Sequence, residues 1–259
     1  MSSVLINGLW VEDFGTGGEA VLCIHGLGGT SNFWSPVLSA FGECRIIRPD
    51  LAGAGRSVEA PEGLTVAHHV ESLIGVLDSL GIDKAHIAAH SMGTIIAQHL
   101  AAAHPARVRS LAMFGPLAAP SDASREPTRN RAKQARSGTR ALQEIADAIV
   151  KAATSAQTKA ERPVALALVR ESVMRQPPEG YARNCEALAE AHAAEVGQLT
   201  IPVLLVTGDE DGVGTPAGMK VLADRLVDQR SYVLQGCGHW TTYEKPFECI
   251  RILTDFYKL

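Results

Sequence analysis

The chain of 259 residues has 24 basic and 28 acidic side chains, a formal charge of −4 with histidine neutral. That balance argues against a general nucleic-acid surface, because phosphate binding draws on clustered lysine and arginine. Hydrophobic residues at 46% and charged residues at 20% supply a core for one large domain, or one domain with an insertion, and exclude a low-complexity chain.

The first ten residues lack a basic stretch followed by an apolar run, and no segment approaches the ~18 apolar residues of a membrane span, so a cytoplasmic location is the expectation. Short apolar runs then alternate with longer helical patterns, as a parallel sheet with crossover helices requires. Residues 20–24 read as a strand leading into His25-Gly26-Leu27-Gly28-Gly29, whose glycines let the backbone approach a ligand closely. A second strand is expected at 45–48. Residues 65–80 show helical spacing in Val66, Val70, Leu73, Ile74 and Leu77, with Gly81 as a C-terminal stop. Strands at 85–89 and 110–114 flank an alanine-rich helix at 92–104.

Residues 119–200 contain no convincing strand, and their Ala, Glu, Gln and Arg content favours helices. The expected organisation is a core of 1–118 and 201–259 interrupted by a helical cap. Arg125, Arg129, Arg131, Lys133, Arg136 and Arg140 in the cap either steer an anionic substrate or solvate a helix face, the second being favoured. Strands at 201–207 and 231–234 and a helix at 247–256 resume the alternation. Five cysteines, odd in number and without CxxC spacing, fit reduced thiols.

The strongest chemical signal is Ala89-His90-Ser91-Met92-Gly93 between a strand and a helix. A serine in such a turn is lifted above the sheet by a strained backbone, and small residues two positions away avoid collision. The Met92 amide, opening the helix, is one candidate oxyanion donor, and the Leu27 amide is the second. The serine needs a base, and the base needs an acid to fix its tautomer. His239 in Gly236-Cys237-Gly238-His239-Trp240 and the acids of Gly208-Asp209-Glu210-Asp211 follow successive strands. Asp209 and Glu210 are rivals; Asp211 is preferred because it lies deepest in the loop. The order Ser91, Asp211, His239 fits a hydrolase of this architecture. His25 reads as architectural, and His68, His69, His86, His90, His99, His104 and His192 as structural or exposed. No metal site and no cofactor are expected.

The combination of His25-Gly26, Asp50-Leu51-Ala52-Gly53-Ala54-Gly55-Arg56-Ser57, the Ser91 turn, the Asp211 loop and Gly238-His239 resembles the α/β-hydrolase family over nearly the whole chain. The resemblance implies an α/β fold: a mostly parallel, typically eight-stranded sheet flanked by helices, with a helical cap over the serine. Residues 179–187 and 208–218 are similar to segments of 3-oxoadipate enol-lactonases and related esterases, which strengthens Asp211 as the acid. Ala52 stands where those enzymes commonly carry arginine, so an anionic substrate would need a cap arginine such as Arg129 or Arg136. The implied activity is hydrolysis of a small-molecule ester or lactone through an acyl-enzyme, without nucleic-acid or membrane partners. Carbon–carbon hydrolysis of a vinylogous diketone and receptor-like binding of a small signal are the alternatives.

Overall fold

The computed structural model describes residues 2–257. Eight strands form one sheet in the order β1-β2-β4-β3-β5-β6-β7-β8. They are β1 (Ser2–Ile6), β2 (Leu9–Phe14), β3 (Ala20–Ile24), β4 (Arg45–Pro49), β5 (Ala85–His90), β6 (Val108–Phe114), β7 (Val203–Gly208) and β8 (Gln229–Leu234). β2 runs antiparallel to both β1 and β4, and all other pairs are parallel. β1 and β2 precede the first strand expected from sequence. Asn7 and Gly8, both at positive φ, join them in the tight turn that an Asn-Gly pair favours. This hairpin signal was legible at residues 7–8.

β3 lies between β4 and β5, so the chain leaves it on one side and returns on the other. Open α/β sheets gather ligand sites at such a reversal, outside the strand C-termini. The segments after β3 and β5 therefore share one crevice, and they carry Leu27 and Ser91. A 3-10 helical segment, Ser31–Phe41, follows the β3 loop; its N-terminus is capped by Thr30.

Alternation along the strands sends side chains to opposite faces. Leu22, Ile24, Ile87 and Leu111 pack with Leu73 and Leu77 of α1 (Val66–Ser79) and Ile96 of α2 (Met92–Ala103). Val21, Cys23, Ala112 and Phe114 face the other way, toward Phe33, Trp34 and Leu253 of α10 (Pro246–Tyr257). Burying one such large apolar side chain stabilises by about 1.5–3 kcal/mol. All five cysteines are buried and unpaired.

Five helices connect β6 to β7: α3 (Asp122–Ala135), α4 (Thr139–Ala153), α5 (Ala156–Glu161), α6 (Pro163–Met174) and α7 (Pro178–Ala189). Two further helices, α8 (Pro216–Ala223) and α9 (Thr241–Glu244), follow β7 and β8. α7 presses onto the 50–60 loop. A Cβ on Gly180 would fall 2.3 Å from the Gly53 carbonyl oxygen. Asn184 donates to the Ala52 carbonyl at 2.8 Å, and its Oδ1 lies 3.0 Å from His69 Nε2. The loop itself is organised by Asp50, which accepts from the Ser31 amide and from the amide and Nε of Arg56. Burial pushes the Asp50 carboxyl up, but Arg56, His25 and these amides hold it below its ordinary value.

Arg129 and Arg136, named as possible substrate partners, lie in ion pairs with residues of the same inserted segment. Arg129 meets Glu190 at 2.6 Å, and Arg136 meets Glu179 at 2.9 Å and Glu186 at 2.6 Å. Such exposed pairs contribute about 0–1 kcal/mol each and tie α3 to α7. No helix among the described residues is long and apolar enough to cross a membrane.

Candidate active site

Ser91 stands between the end of β5 and the start of α2 with φ 52° and ψ −122°. Only Asn7 shares a positive φ among the described non-glycine residues. A conformation of this kind costs about 1–3 kcal/mol and must be imposed by its surroundings. The Ser91 amide donates to the Phe114 carbonyl at 3.0 Å, and the Thr94 amide donates back to Ser91 at 2.8 Å. Crowding fixes the neighbours as well: a Cβ on Gly26 would lie 2.6 Å from Ser91 Cβ, and one on Gly93 would lie 2.6 Å from the His25 carbonyl oxygen. Ala89 is fully buried, so its methyl group is accommodated.

His239, beyond β8, places Nε2 2.8 Å from Ser91 Oγ and Nδ1 2.8 Å from Asp211 Oδ2. Asp211 Oδ1 accepts from the Val213 and Gly214 amides at 2.7 and 2.8 Å, and Thr207 Oγ1 lies 3.0 Å from Oδ2. Burial alone would raise the Asp211 carboxyl, but His239 and these hydrogen bonds lower it to about 2. An ionised acceptor at Oδ2 assigns the Nδ1 proton to His239 and leaves the Nε2 lone pair facing the serine. The two rival acids are engaged elsewhere: Asp209 accepts from the Cys237 amide at 3.1 Å and Glu210 from the Ala156 amide at 2.8 Å.

Leu27 and Met92 stand at the ends of adjacent strands, where Ile24 of β3 is in register with Ala89 of β5. Neither amide has an acceptor among the described residues. The Leu27 loop is braced on both sides. His25 Nε2 accepts from the Leu51 amide at 2.9 Å, which leaves Nδ1 to donate to the Gly26 carbonyl at 2.9 Å. From α6, Ser172 donates to the Gly28 carbonyl at 2.8 Å. Leu27, Met92, Ala54, Gln176 and Tyr181 line a narrow space here. Ser91 is 7% and His239 5% exposed, so both reacting groups are buried. A separate groove of about 430 Å³ between α6 and α9, lined by Val164, Leu168 and Tyr243, contains none of these residues.

His90 is the neighbour that sequence reading did not connect to the site. Its ring stacks on Phe33 at 4.0 Å and lies 4.8 Å from the His239 ring. Complete burial holds its pKa well below the ordinary histidine value, with the nearby His239 adding to the effect. The neutral ring donates from Nε2 to the His239 carbonyl at 3.0 Å. Its place inside the Ser91 turn was the available signal. No group of three or more His, Cys, Asp or Glu side chains among the described residues is arranged to hold a metal ion.

Residues 19–246 match the family described as alpha/beta hydrolase fold. The chain belongs to the alpha/beta hydrolase family. This alpha/beta hydrolase is 38% identical over 111 residues to RutD of Caulobacter vibrioides, whose name describes a carbamate hydrolase, with 41% of each chain covered. It spans less than half the length of the first curated relatives that it matches. Over 92% of the chain and 88% of the relative, it is 26% identical to 3-oxoadipate enol-lactonase 1 of Acinetobacter baylyi. Among solved structures, a thermophilic esterase from Thermogutta terrifontis superposes with a TM-score of 0.91 at 25% identity, over 99% of this chain and 97% of that one.

Proposed function

We propose that this alpha/beta hydrolase cleaves a small carboxylic ester or lactone through an acyl-enzyme on Ser91. The observation that carries the reading is the unbroken line from Asp211 through His239 to Ser91, with 2.8 Å at both links. His239 takes the Ser91 proton as Oγ attacks the carbonyl carbon, and Asp211 stabilises the resulting imidazolium. The Leu27 and Met92 amides receive the developing oxyanion; one such donor contributes about 3–4 kcal/mol to barrier lowering. His239 then protonates the leaving oxygen, and a water activated by the same ring releases the acyl group. In this reading residues 119–200 form a cap over the serine, and 1–118 and 201–259 form the core.

The names of the relatives, an enol-lactonase, an esterase and a carbamate hydrolase, support attack at an acyl carbon. The test is multiple-turnover assay of the chain and of Ser91→Ala on short esters, lactones and carbamates, with mass spectrometry for an acyl adduct. The expected outcome is turnover of esters or lactones, an adduct on Ser91, and a loss of at least about a thousandfold in Ser91→Ala. Undiminished turnover in that variant overturns the reading.

A further inference from the structure

Glu244, at the end of α9, is fully buried. Its carboxyl group touches neither Ser91 nor Asp211, yet it accepts three backbone hydrogen bonds around the site. Oε2 accepts from the Gly238 amide at 2.9 Å and from the Ser155 amide at 2.8 Å, and Oε1 accepts from the Trp240 amide at 3.0 Å. Gly238 and Trp240 flank His239. The intervening His239 amide donates to the Ala153 carbonyl at 2.9 Å. Three consecutive amides, 238 to 240, are therefore held alternately by Glu244 and by the end of α4.

The same junction carries a further link, from Ser155 Oγ to the Gly236 carbonyl at 2.8 Å. Space is minimal: a Cβ on Gly238 would fall 2.7 Å from the Ala153 oxygen and 2.9 Å from Glu244 Oε1. The backbone that presents the imidazole is thus held to the inserted helices by the Ala153 carbonyl, by Ser155 and by Glu244, and Glu244 alone bonds both amides that flank His239. Small displacements matter here, because an error near 1 Å in a reacting group lowers rate by about a hundredfold.

We infer that Glu244 is a positioning residue for His239, fixing the 238–240 backbone and joining it to the α4–α5 junction; this rests on the proposed roles of Ser91 and His239. A glutamine at 244 retains one oxygen acceptor and turns an NH2 donor toward the remaining amide or amides. A leucine retains none. The loss is therefore expected to be graded and to fall on the chemical step instead of on binding.

A fluorophosphonate probe tests this without knowledge of the natural substrate. Ser91 Oγ forms a bond to phosphorus, fluoride leaves and the hydroxyl proton passes to His239. Glu244→Gln is expected to label about ten- to a hundredfold more slowly than wild type, and Glu244→Leu more slowly still. With an ester substrate, kcat should fall likewise while KM stays within about threefold. The far-downfield proton resonance of the His239 Nδ1–H shared with Asp211 should broaden or disappear in Glu244→Gln while near-ultraviolet circular dichroism remains native. Wild-type labelling with an intact resonance in the glutamine variant overturns the inference. So does failure of that variant to fold, which would make the carboxyl group a general support of the core. Labelling of Ser91→Ala at the wild-type rate instead removes the underlying reading of the site.

Discussion

The side-chain amide of Gln176 reaches the carbonyl oxygen of Gly29 at 3.1 Å, joining a residue just beyond α6 to the loop after β3. The same nitrogen lies 3.3 Å from the Gly28 oxygen, which also accepts from Ser172. Helices inserted between β6 and β7 therefore brace the loop whose Leu27 amide is the proposed oxyanion donor. Gln176→Ala and Ser172→Ala are each expected to lower kcat about tenfold with a smaller change in KM. Because both act on one loop, their effects should not add. A double-mutant cycle on kcat checks this, and strict additivity would count against a shared role.

Three neighbouring carboxyl groups make different contacts, and substitution should separate them. Asp211→Asn is expected to lower kcat/KM by about a thousand- to ten-thousandfold, because the amide no longer fixes the imidazole tautomer or stabilises its charge. Glu210→Gln leaves the line to Ser91 intact and should cost less than about tenfold. Equal losses would return the choice of acid to the whole Gly208–Asp211 turn.

Gly115 packs against the proposed base. Its φ is +54°, and a Cβ there would lie 2.8 Å from His239 Cε1 and 2.9 Å from Nδ1. Gly42 has the same φ with nothing within 4 Å, so it isolates backbone strain from contact with the ring. Both Gly115→Ala and Gly42→Ala should destabilise, by about 1–3 kcal/mol. Only Gly115→Ala should lower kcat, by about a hundredfold. Urea unfolding alongside steady-state kinetics reads the two effects, and equal kcat values would sink this prediction.

Burial lowers the His69 pKa from 6.5 to about 4, against the opposing effect of its hydrogen bond to Asn184 Oδ1. The unfolded chain takes up this proton near pH 6.5, whereas the folded protein resists it until about pH 4. Its contribution to stability is therefore complete above the unfolded value and is lost as pH falls through that window. The difference corresponds to about 3 kcal/mol. Burial shifts His25 and His90 in the same direction. His69→Gln should flatten the dependence of unfolding free energy on pH by about one proton between neutrality and pH 4. An unchanged slope in urea titrations would show that His69 is already protonated in the fold.

Some of the architecture was legible because local chemistry and burial impose the same pattern. The apolar spacing of Val66, Val70, Leu73 and Leu77 gives a helical face, and those residues are buried in α1. The Asn7-Gly8 turn was equally local but its strands are short, and Val4 and Leu5 stay exposed, which weakens the period-two signal. Ser31–Phe41 was harder to read, since Pro36 interrupts its helical pattern. Ser91 and His239 could be named from their turns, whereas His90 and the Ser155 link of Glu244 could not be read, because their partners are backbone atoms of segments distant in sequence.

Local chemistry alone marked which residues bend the backbone, which faces turn inward and which side chains are candidates for nucleophile, base and acid. Those properties follow from steric limits at each position and from side-chain functional groups, and they survive in any surrounding. It took the packed fold to bring Asp211, and not Asp209 or Glu210, to His239, and to hold Arg136 between Glu179 and Glu186. The same fold lets inserted helices grip both the Leu27 and His239 loops. Hydrogen bonds act over about 3 Å, and strand order, which no local stretch encodes, brings those atoms within that range.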